Sequence, residues 1–303
     1  MLSWLVDPWT WGAWMWRGML SVTLVAVACA VLGVFLYLRR MSLVADALAH
    51  VALPGIVAAF LISGSLSAPV MLFGAALTGL LATVGIETLS RRPNIRPDAA
   101  IGIVFTAMFA AGVILLSTRV QDAHIDTHCL LFGDVLGVSD RSIWLLAFVT
   151  PLVLVLVAVF YRWLSASSFD PGFAKSLGIP VAAVHYGLMT AVSLTTVASF
   201  EAVGAILVIA LIIVPAATAH RLSDRLHLML AFAVAHGVVS ATVGMYVAIW
   251  IDSSAAGAIV VTGGLIYAAV FLFGPRHGLV FSPGRHCGQG LGPEASSINA
   301  LEG

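Results

Sequence analysis

Nine apolar stretches, each about as long as a membrane-crossing helix, occupy nearly the whole chain. Crossing about 30 Å of hydrocarbon takes about 20 helical residues at 1.5 Å each. The sixth and seventh stretches are short and only Glu201 and Ala202 separate them, so one span plus a re-entrant helix is an alternative. We therefore expect an all-α polytopic membrane protein of about nine, or eight to nine, transmembrane helices. The predicted spans are 14–38, 43–62, 69–89, 99–117, 143–161, 183–200, 203–220, 228–251 and 256–273.

The composition excludes the soluble alternatives. Hydrophobic residues make up 61% of the chain and charged residues 9%, whereas a soluble domain has about 25% charged and 45–50% apolar residues. A chain this apolar cannot cover its own surface with polar groups, which excludes a soluble enzyme, a nucleic-acid binder and a disordered chain. Cys29, Cys129 and Cys287 lie far apart, so the sequence predicts neither a disulfide framework nor a thiolate metal cluster.

Lysine and arginine divide unequally between the two sets of predicted loops. Of the 14, all but Arg17, Arg119 and Arg141 fall on the side of the loop that follows the first span. Because cytoplasmic loops carry an excess of basic residues, we expect a multi-pass protein of the inner (plasma) membrane with its N-terminus outside and its C-terminus in the cytoplasm. Residues 1–13 are then extracytoplasmic, 14–280 form one transmembrane domain, and 281–303, rich in Gly, Pro and Ser, form a disordered cytoplasmic tail.

The sharpest candidate site is a pair of ionisable residues in the second span. Asp46 and His50 are four residues apart, which places them on one helix face, and ionisable groups within a bilayer are costly. A carboxylate oxygen and an imidazole nitrogen suit Zn²⁺, Mn²⁺ or Fe²⁺. Two ligands are too few for a tight site, as expected where the ion must leave. The alternative is an Asp–His ion pair that holds the second helix to its neighbours. Pro54 can kink the span beside His50, or it can serve, with Gly55, in the packing of small residues.

Four weaker candidates lie elsewhere in the chain. Glu201 could line an entry gate or cap a helix, and His236 could face the bundle interior as a ligand or serve in packing. Residues 122–134 hold Asp and His at ligand-like spacings, which indicates either a transient capture site or an ordinary polar loop. Glu87, near the inner end of the third span, can reach the membrane interface or pair with Arg91 at i+4, which favours a structural role.

The sequence FDPGFAKSLGIP at 169–180 predicts a short surface helix between two spans. Asp170 can cap its start and Gly178 suits its end. Phe173 and Leu177 stand four residues apart and could insert into a groove on a partner. A simple linker is the alternative.

Six segments in order resemble the permease subunits of zinc, manganese and iron ATP-binding-cassette importers, the ABC-3 family. The resemblance spans roughly 15–279, while the Trp-rich start and the Gly/Pro-rich tail match no motif of the family. The six segments are RRMSLVADALAHVALPGIVAAFL (39–61), RRPNIRPDAAIGIVF (91–105), LLFGDVLGVS (130–139), FDPGFAKSLGIP (169–180), VGAILVIALIIVPAATAHRLSDR (203–225) and FGPRHGL (273–279).

The resemblance implies a type II ABC importer permease fold and an import function driven by ATP hydrolysis on a separate subunit. Two permease copies form the path, two cytoplasmic ATPase subunits dock on the coupling helix, and an extracytoplasmic solute-binding protein delivers the metal. Besides membrane lipid no other partner is implied, no cofactor is permanently bound, and Asp46 and His50 inherit a role in the metal path. The coupling residues carried over are Asp170, Phe173, Lys175, Leu177 and Gly178.

Three other functions would each require features different from those of a divalent-metal permease. A permease for a metal chelate or a cobalamin-like ligand would need a wider path and not Asp46 and His50. A cation-driven secondary transporter would need broken helices in inverted halves with acids at mid-membrane. A membrane hydrolase would need motifs such as HExxH or GxSxG, and these are absent, as is the GxxxxGK[ST] of an ATP site. The sequence does not select among zinc, manganese and iron.

Overall fold

The computed structural model of the chain describes residues 12–64, 68–90, 92, 94–119, 135 and 137–274. Within these residues it consists of eleven α-helices and no strand. The helices are α1 (Ala13–Leu38), α2 (Ser42–Ser63), α3 (Ala68–Ser90), α4 (Pro97–Arg119), α5 (Asp140–Val159), α6 (Tyr161–Phe169), α7 (Pro171–Ser176), α8 (Val181–Val203), α9 (Ala205–Leu222), α10 (Leu226–Ile251) and α11 (Ala255–Phe273).

In the described part of the chain, nine helices are long and apolar enough to cross a membrane, all except α6 and α7. They coincide with the nine predicted spans, with ends displaced by a few residues at most. Hydropathy over windows of this length is a strong signal because a membrane helix must bury every apolar side chain against lipid or protein. The prediction of an all-α polytopic membrane protein is therefore confirmed.

The boundary between α8 and α9 lies at Gly204, not at Glu201 and Ala202 as the sequence suggested. α8 continues through both residues to Val203. Gly204 then adopts φ 80° and ψ 160°, a backbone conformation that favours glycine because it lacks a Cβ. Each helix is long and apolar enough to cross by itself, which favours two spans over one span with a re-entrant helix.

The fifth predicted span runs too far at its C-terminal end, because a second helix begins there. α5 ends at Val159, Phe160 forms a turn with φ −92° and ψ 10°, and α6 follows. The sequence did not predict a helix at this position, because the serine-rich segment after Tyr161 lacks the sustained hydropathy of a membrane span. α6 leads through Asp170 directly into α7, so the predicted surface helix is joined to the membrane domain by a second helix.

Contacts between helix ends define the two ends of the bundle. Arg17 of α1 and Asp140 of α5 form an ion pair near the starts of their helices. At the other end, the rings of Tyr37 in α1 and His220 in α9 lie 5.2 Å apart between centroids. α1, α5 and α9 therefore run in the same direction, as the alternation of the predicted spans requires.

α1 is the most enclosed of the spanning helices. It packs against α5, α8, α9 and α10, and its Val25, Leu32 and Phe35 are buried. α4 and α11 are the least enclosed spans and expose large apolar side chains such as Ile114 and Leu265. In a bilayer such faces contact lipid tails or another subunit, so their exposure is compatible with a stable fold.

The contact between α1 and α9 depends on a glycine. A Cβ added at Gly33 would lie 2.9 Å from the carbonyl carbon and 3.2 Å from the Cα of Ile212, so the two backbones can approach this closely only without a side chain. We expect Gly33→Ala to destabilise the protein by about 1–3 kcal/mol, the usual cost of overpacking. The midpoint of thermal aggregation in detergent measures the effect.

Gly264→Ala in α11 is the matched control, because a Cβ there meets nothing within 4 Å. It is expected to leave the midpoint unchanged or raise it slightly, since alanine favours a helix over glycine by about 0.5–1 kcal/mol. Equal midpoints for the two variants would contradict close packing of α1 on α9.

Candidate metal site and coupling segment

Asp46 and His50 lie on the same face of α2, one turn apart, as predicted. The His50 Nε2 is 3.6 Å from the Asp46 Oδ1. That distance is too long for a good hydrogen bond but within ion-pairing range. The side chains are 27% exposed for His50 and 45% exposed for Asp46, so neither is enclosed in the core of the single chain.

The separation of the two donor atoms fits a shared metal ion. Two ligand atoms each about 2.1 Å from a metal, at a tetrahedral angle, lie about 3.4 Å apart. The separation of the Asp46 and His50 donor atoms is thus compatible with binding one ion together. Among the described residues, no three His, Cys, Asp or Glu side chains converge on a possible metal position, so this part of the chain supplies no third ligand of these types.

Two aromatic side chains of α4 form a wall against the His50 imidazole. Phe105 and Phe109 each place their ring centroid 5.7 Å from that of His50, with Phe109 edge-on at 76°. The two phenyl rings contact each other at 6.0 Å. Such tilted and edge-to-face contacts restrict the orientation of the ring. The sequence did not predict this contact with His50. Its one signal is that Phe105 and Phe109 have the same i, i+4 spacing as Asp46 and His50.

The segment of α2 after His50 is packed closely against its neighbours. A Cβ at Gly112 of α4 would lie 2.8 Å from Pro54 Cδ, and a Cβ at Gly55 would lie 2.7 Å from the carbonyl carbon of Gly74 in α3. Pro54 also lacks the N–H that would bond the His50 carbonyl. Both interpretations of this motif are therefore supported: the proline interrupts the helix bonding beside His50, and small residues let α3 and α4 hold α2.

The structure does not bring His236 together with this pair. His236 is buried in α10, which packs chiefly against α1, α9 and α11. Its Nε2 lies 3.3 Å from the Gly263 carbonyl oxygen and its Nδ1 lies 3.4 Å from the Ser240 Oγ. With both ring nitrogens near polar partners, the geometry favours the packing interpretation over the metal interpretation.

Several sequence candidates lie outside what the structure describes. Glu201 is in the last turn of α8, but its side chain is not among the described ones. The polar loop 122–134 and Arg91, the expected partner of Glu87, are also outside the described residues. Glu87 places its Oε2 3.9 Å from Nε2 of His185 on α8, a pairing that the sequence did not suggest.

α7 has the caps that the sequence predicts. The Asp170 Oδ1 accepts a hydrogen bond from the Phe173 N–H at 2.9 Å, and Pro171 opens the helix. Gly178 follows its end with φ 75°. A cap of this kind stabilises a short helix that has too few internal hydrogen bonds to stand alone.

α7 presents its apolar side chains outward. Phe173 is 58% exposed and Leu177, just after the helix, is 59% exposed, while Ala174 is fully buried. Lys175 is exposed beside them. The capped helix therefore anchors one small side chain and leaves two large apolar ones exposed in the single chain.

Comparison with known proteins places this architecture in a family. The profile of the ABC 3 transport family matches residues 13–274. A manganese transport system membrane protein, MntD of Bacillus subtilis (strain 168), is 44% identical over 269 residues, covering 85% of this chain and 91% of the relative. A zinc transport system membrane protein, TroD of Treponema pallidum (strain Nichols), is 41% identical over 272 residues, covering 86% and 74%.

Among solved structures, PsaBC from Streptococcus pneumoniae in complex with Fab is similar, with a TM-score of 0.81 and 30% sequence identity. The match covers 91% of this chain and 98% of that one. The chain belongs to the ABC 3 transport family. It is a multi-pass membrane permease of the ABC importer type and not an enzyme.

Proposed function

We propose that this chain is the permease subunit of an ATP-driven importer for a divalent transition metal: zinc, manganese or iron. The observation that carries the proposal is the 3.6 Å separation of a carboxylate oxygen and an imidazole nitrogen on one face of α2. Oxygen and nitrogen donors of this kind suit these three ions. Two relatives named above, one for manganese and one for zinc, support the same substrate class.

The energy for import comes from a separate subunit. The sequence holds no phosphate-binding GxxxxGK[ST] motif and no segment long enough for a nucleotide-binding domain. α7, with Phe173 and Leu177 exposed, is the docking element for a cytoplasmic ATPase. Movement of the ATPase on nucleotide binding reaches the membrane domain through α6 and α7, which are continuous with α5.

Two copies of the chain form the path. Among the described residues of one chain, no third His, Cys, Asp or Glu joins Asp46 and His50 around a possible ion, and Asp46 is nearly half exposed. A two-fold axis beside this face would bring a second pair opposite the first and double the number of ligands. An extracytoplasmic solute-binding protein delivers the metal, so selection among metals lies partly in that protein.

The basic ends of the helices face the cytoplasm, with the N-terminus outside. In a background without the reactive native cysteines, Asn94→Cys is expected to resist a membrane-impermeant maleimide in intact cells. Ser253→Cys is expected to react. Both positions are exposed in the structure, so accessibility depends on the side of the membrane. The reverse pattern of labelling would invert the proposed topology.

Metal uptake by a deletion strain tests the proposed function. Cells without the gene and cells complemented with it are supplied separately with radioactive Mn²⁺, Zn²⁺ and Fe²⁺ at submicromolar concentration. We expect complementation to restore uptake of at least one ion, and competition among the three identifies the preferred one. Equal uptake by both strains for all three ions would contradict the proposal.

A further inference from the structure

A polar cleft of about 460 Å³ lies at the end of the bundle that carries α7. Five segments meet around it: the end of α1, the start of α2, the end of α3, the α6–α7 pair and the start of α8. The residues with polar side chains in its wall include Arg39, Arg40, Ser167, Ser168 and His185. The cleft is therefore where the coupling segment adjoins the helix that carries Asp46 and His50.

Arg39 connects these segments by three hydrogen bonds. Its Nη2 donates to the Ser167 Oγ at 2.7 Å and its Nε donates to the Ser168 Oγ at 3.1 Å, both on α6. Its Nη1 lies 3.4 Å from the His185 Nδ1 on α8. A guanidinium has donors only, so the Nδ1 accepts and the imidazole proton sits on Nε2, the nitrogen that faces Glu87.

The guanidinium of Arg39 is held in place without a carboxylate. No Asp or Glu oxygen of the described residues lies within 4.0 Å of it, and burial lowers the pKa of Arg39 to about 10. It stays protonated at neutral pH, so its donors persist. Burial of a charge is costly unless hydrogen bonds compensate, and the bonds to the α6 hydroxyls offset part of this cost.

The position of Arg39 in the chain gives these bonds their significance. α1 ends at Leu38, Arg40 turns the chain with φ 58°, and α2 begins at Ser42. Asp46 follows one turn later. On the other side, Ser167 and Ser168 are in the last turn of α6, and Asp170 then caps α7. Arg39 thus links the connection that leads into α2 to the last turn of α6, which leads into α7.

We propose that Arg39 is the positioning residue that ties the coupling segment α6–α7 to the base of α2, so that movement of α7 changes the setting of Asp46 and His50. This inference rests on the proposed function, in which α7 receives the ATPase and α2 carries the metal. Arg39 touches neither metal nor nucleotide. It acts by keeping α2 and α6 in a fixed position relative to each other while the ATPase moves α7.

The adjacent Arg40 provides the matched control. It has the same charge and lies one residue away in the same cleft. Its side chain is exposed and forms no hydrogen bond or ion pair with any residue that the structure describes. Arg40→Gln keeps the Cβ and hence the backbone conformation of this turn, and it removes the same charge as Arg39→Gln.

The first measurement uses the complete transporter reconstituted in liposomes, with ATP turnover and metal transport recorded together. Arg39→Gln is expected to co-purify with the ATPase and to hydrolyse ATP, but to move about tenfold less metal per ATP, as loss of hydrogen bonds to a charged group implies. Arg39→Lys is expected to recover this ratio only in part, because Ser168, His185 and Ser167 contact three different guanidinium nitrogens and a single ammonium nitrogen cannot occupy all three positions. Arg40→Gln should keep the wild-type ratio.

Adding Ser167→Ala and Ser168→Ala to Arg39→Gln should cause no further loss, since the bonds are already gone. A merely structural role would instead lower assembly, turnover and transport in proportion and leave the ratio of metal to ATP unchanged. An unchanged ratio in Arg39→Gln, or an equal loss in Arg40→Gln, would overturn the proposal.

The second measurement needs neither metal nor ATPase, so it separates this inference from the proposed function. Spin labels at Leu43 on α2 and Phe169 on α6, both exposed, report the distance between the two segments in the purified permease. We expect one narrow distribution in the wild type and in Arg40→Gln, and a broadened one in Arg39→Gln. A narrow distribution in Arg39→Gln would refute the tie, even if transport of metal is established.

Discussion

Asp46→Ala and His50→Ala are each expected to reduce metal uptake to the level of a strain without the permease. Each substitution removes one of two donors that lie 3.6 Å apart, leaving the ion one protein ligand from this chain. Loss of an outer-shell partner alone costs about 10–100-fold in metal affinity, so loss of a direct ligand is expected to cost more. The measurement is radioactive metal uptake at matched amounts of permease in the membrane.

Asp98→Ala and His227→Ala are controls of the same residue types. Both side chains are exposed, at the starts of α4 and α10, and we expect both variants to take up metal normally. The Asp46 and His50 variants should reach the membrane in normal amounts, because the pair is partly exposed and is not part of the buried core. Normal metal uptake by both the Asp46→Ala and the His50→Ala variant at matched protein levels would exclude the proposed metal site.

Phe173→Asp is expected to weaken assembly with the ATPase by more than tenfold without changing the metal site. Burying a side chain of this size contributes about 1.5–3 kcal/mol, and each 1.4 kcal/mol is about a factor of ten in affinity. The aspartate would also place a carboxylate against the partner without a hydrogen-bonding partner of its own. Co-purification of the ATPase and its turnover stimulated by the loaded binding protein measure the effect.

Phe173→Leu is the matched variant, since it keeps a large apolar side chain at a position that is 58% exposed in the isolated chain. It should retain most of the assembly. The purified Phe173→Asp permease should bind metal as the wild type does, because α7 lies at the cleft end of the bundle and contributes no donor to the Asp46–His50 pair. If Phe173→Asp co-purifies fully with the ATPase and keeps normal stimulated turnover, this segment is a linker, and the loop at 91–98 becomes the next candidate for the contact with the ATPase.

The membrane helices were predictable because each of them carries its own signal. A span needs about 20 apolar residues whatever its neighbours are, and nine such segments are visible in the sequence. The boundary between α8 and α9 at Gly204 was harder to predict. A hydropathy profile places the boundary at the polar residue Glu201, whereas the helix ends where the backbone of Gly204 changes conformation. α6 was missed for the converse reason: it is helical without being apolar.

The candidate site was predictable only in part. The Asp46–His50 pair lies within one helix, so its spacing alone determines that the side chains share a face. The caps of α7 are similarly local. Phe105 and Phe109 contact His50 from another helix, and a single sequence does not specify which face of α4 meets α2.

The Arg39 bonds illustrate the same limit over longer distances. Ser167, Ser168 and His185 are more than 120 residues away along the chain. In the sequence, Arg39 and Arg40 are indistinguishable, and both only add to the number of basic residues on the predicted cytoplasmic side. The packing of α1, α6 and α8 makes Arg39 half-buried with three polar contacts and leaves Arg40 exposed.

The most direct test of the account is metal accumulation in liposomes that contain the permease and its ATPase. ATP is enclosed in the lumen, which corresponds to the cytoplasmic side, and the metal-loaded binding protein is added outside. We expect ATP-dependent accumulation of Mn²⁺, Zn²⁺ or Fe²⁺ by the wild type and none by His50→Ala. Accumulation at equal rates by both proteins, or none by the wild type with any of the three metals, would contradict the account.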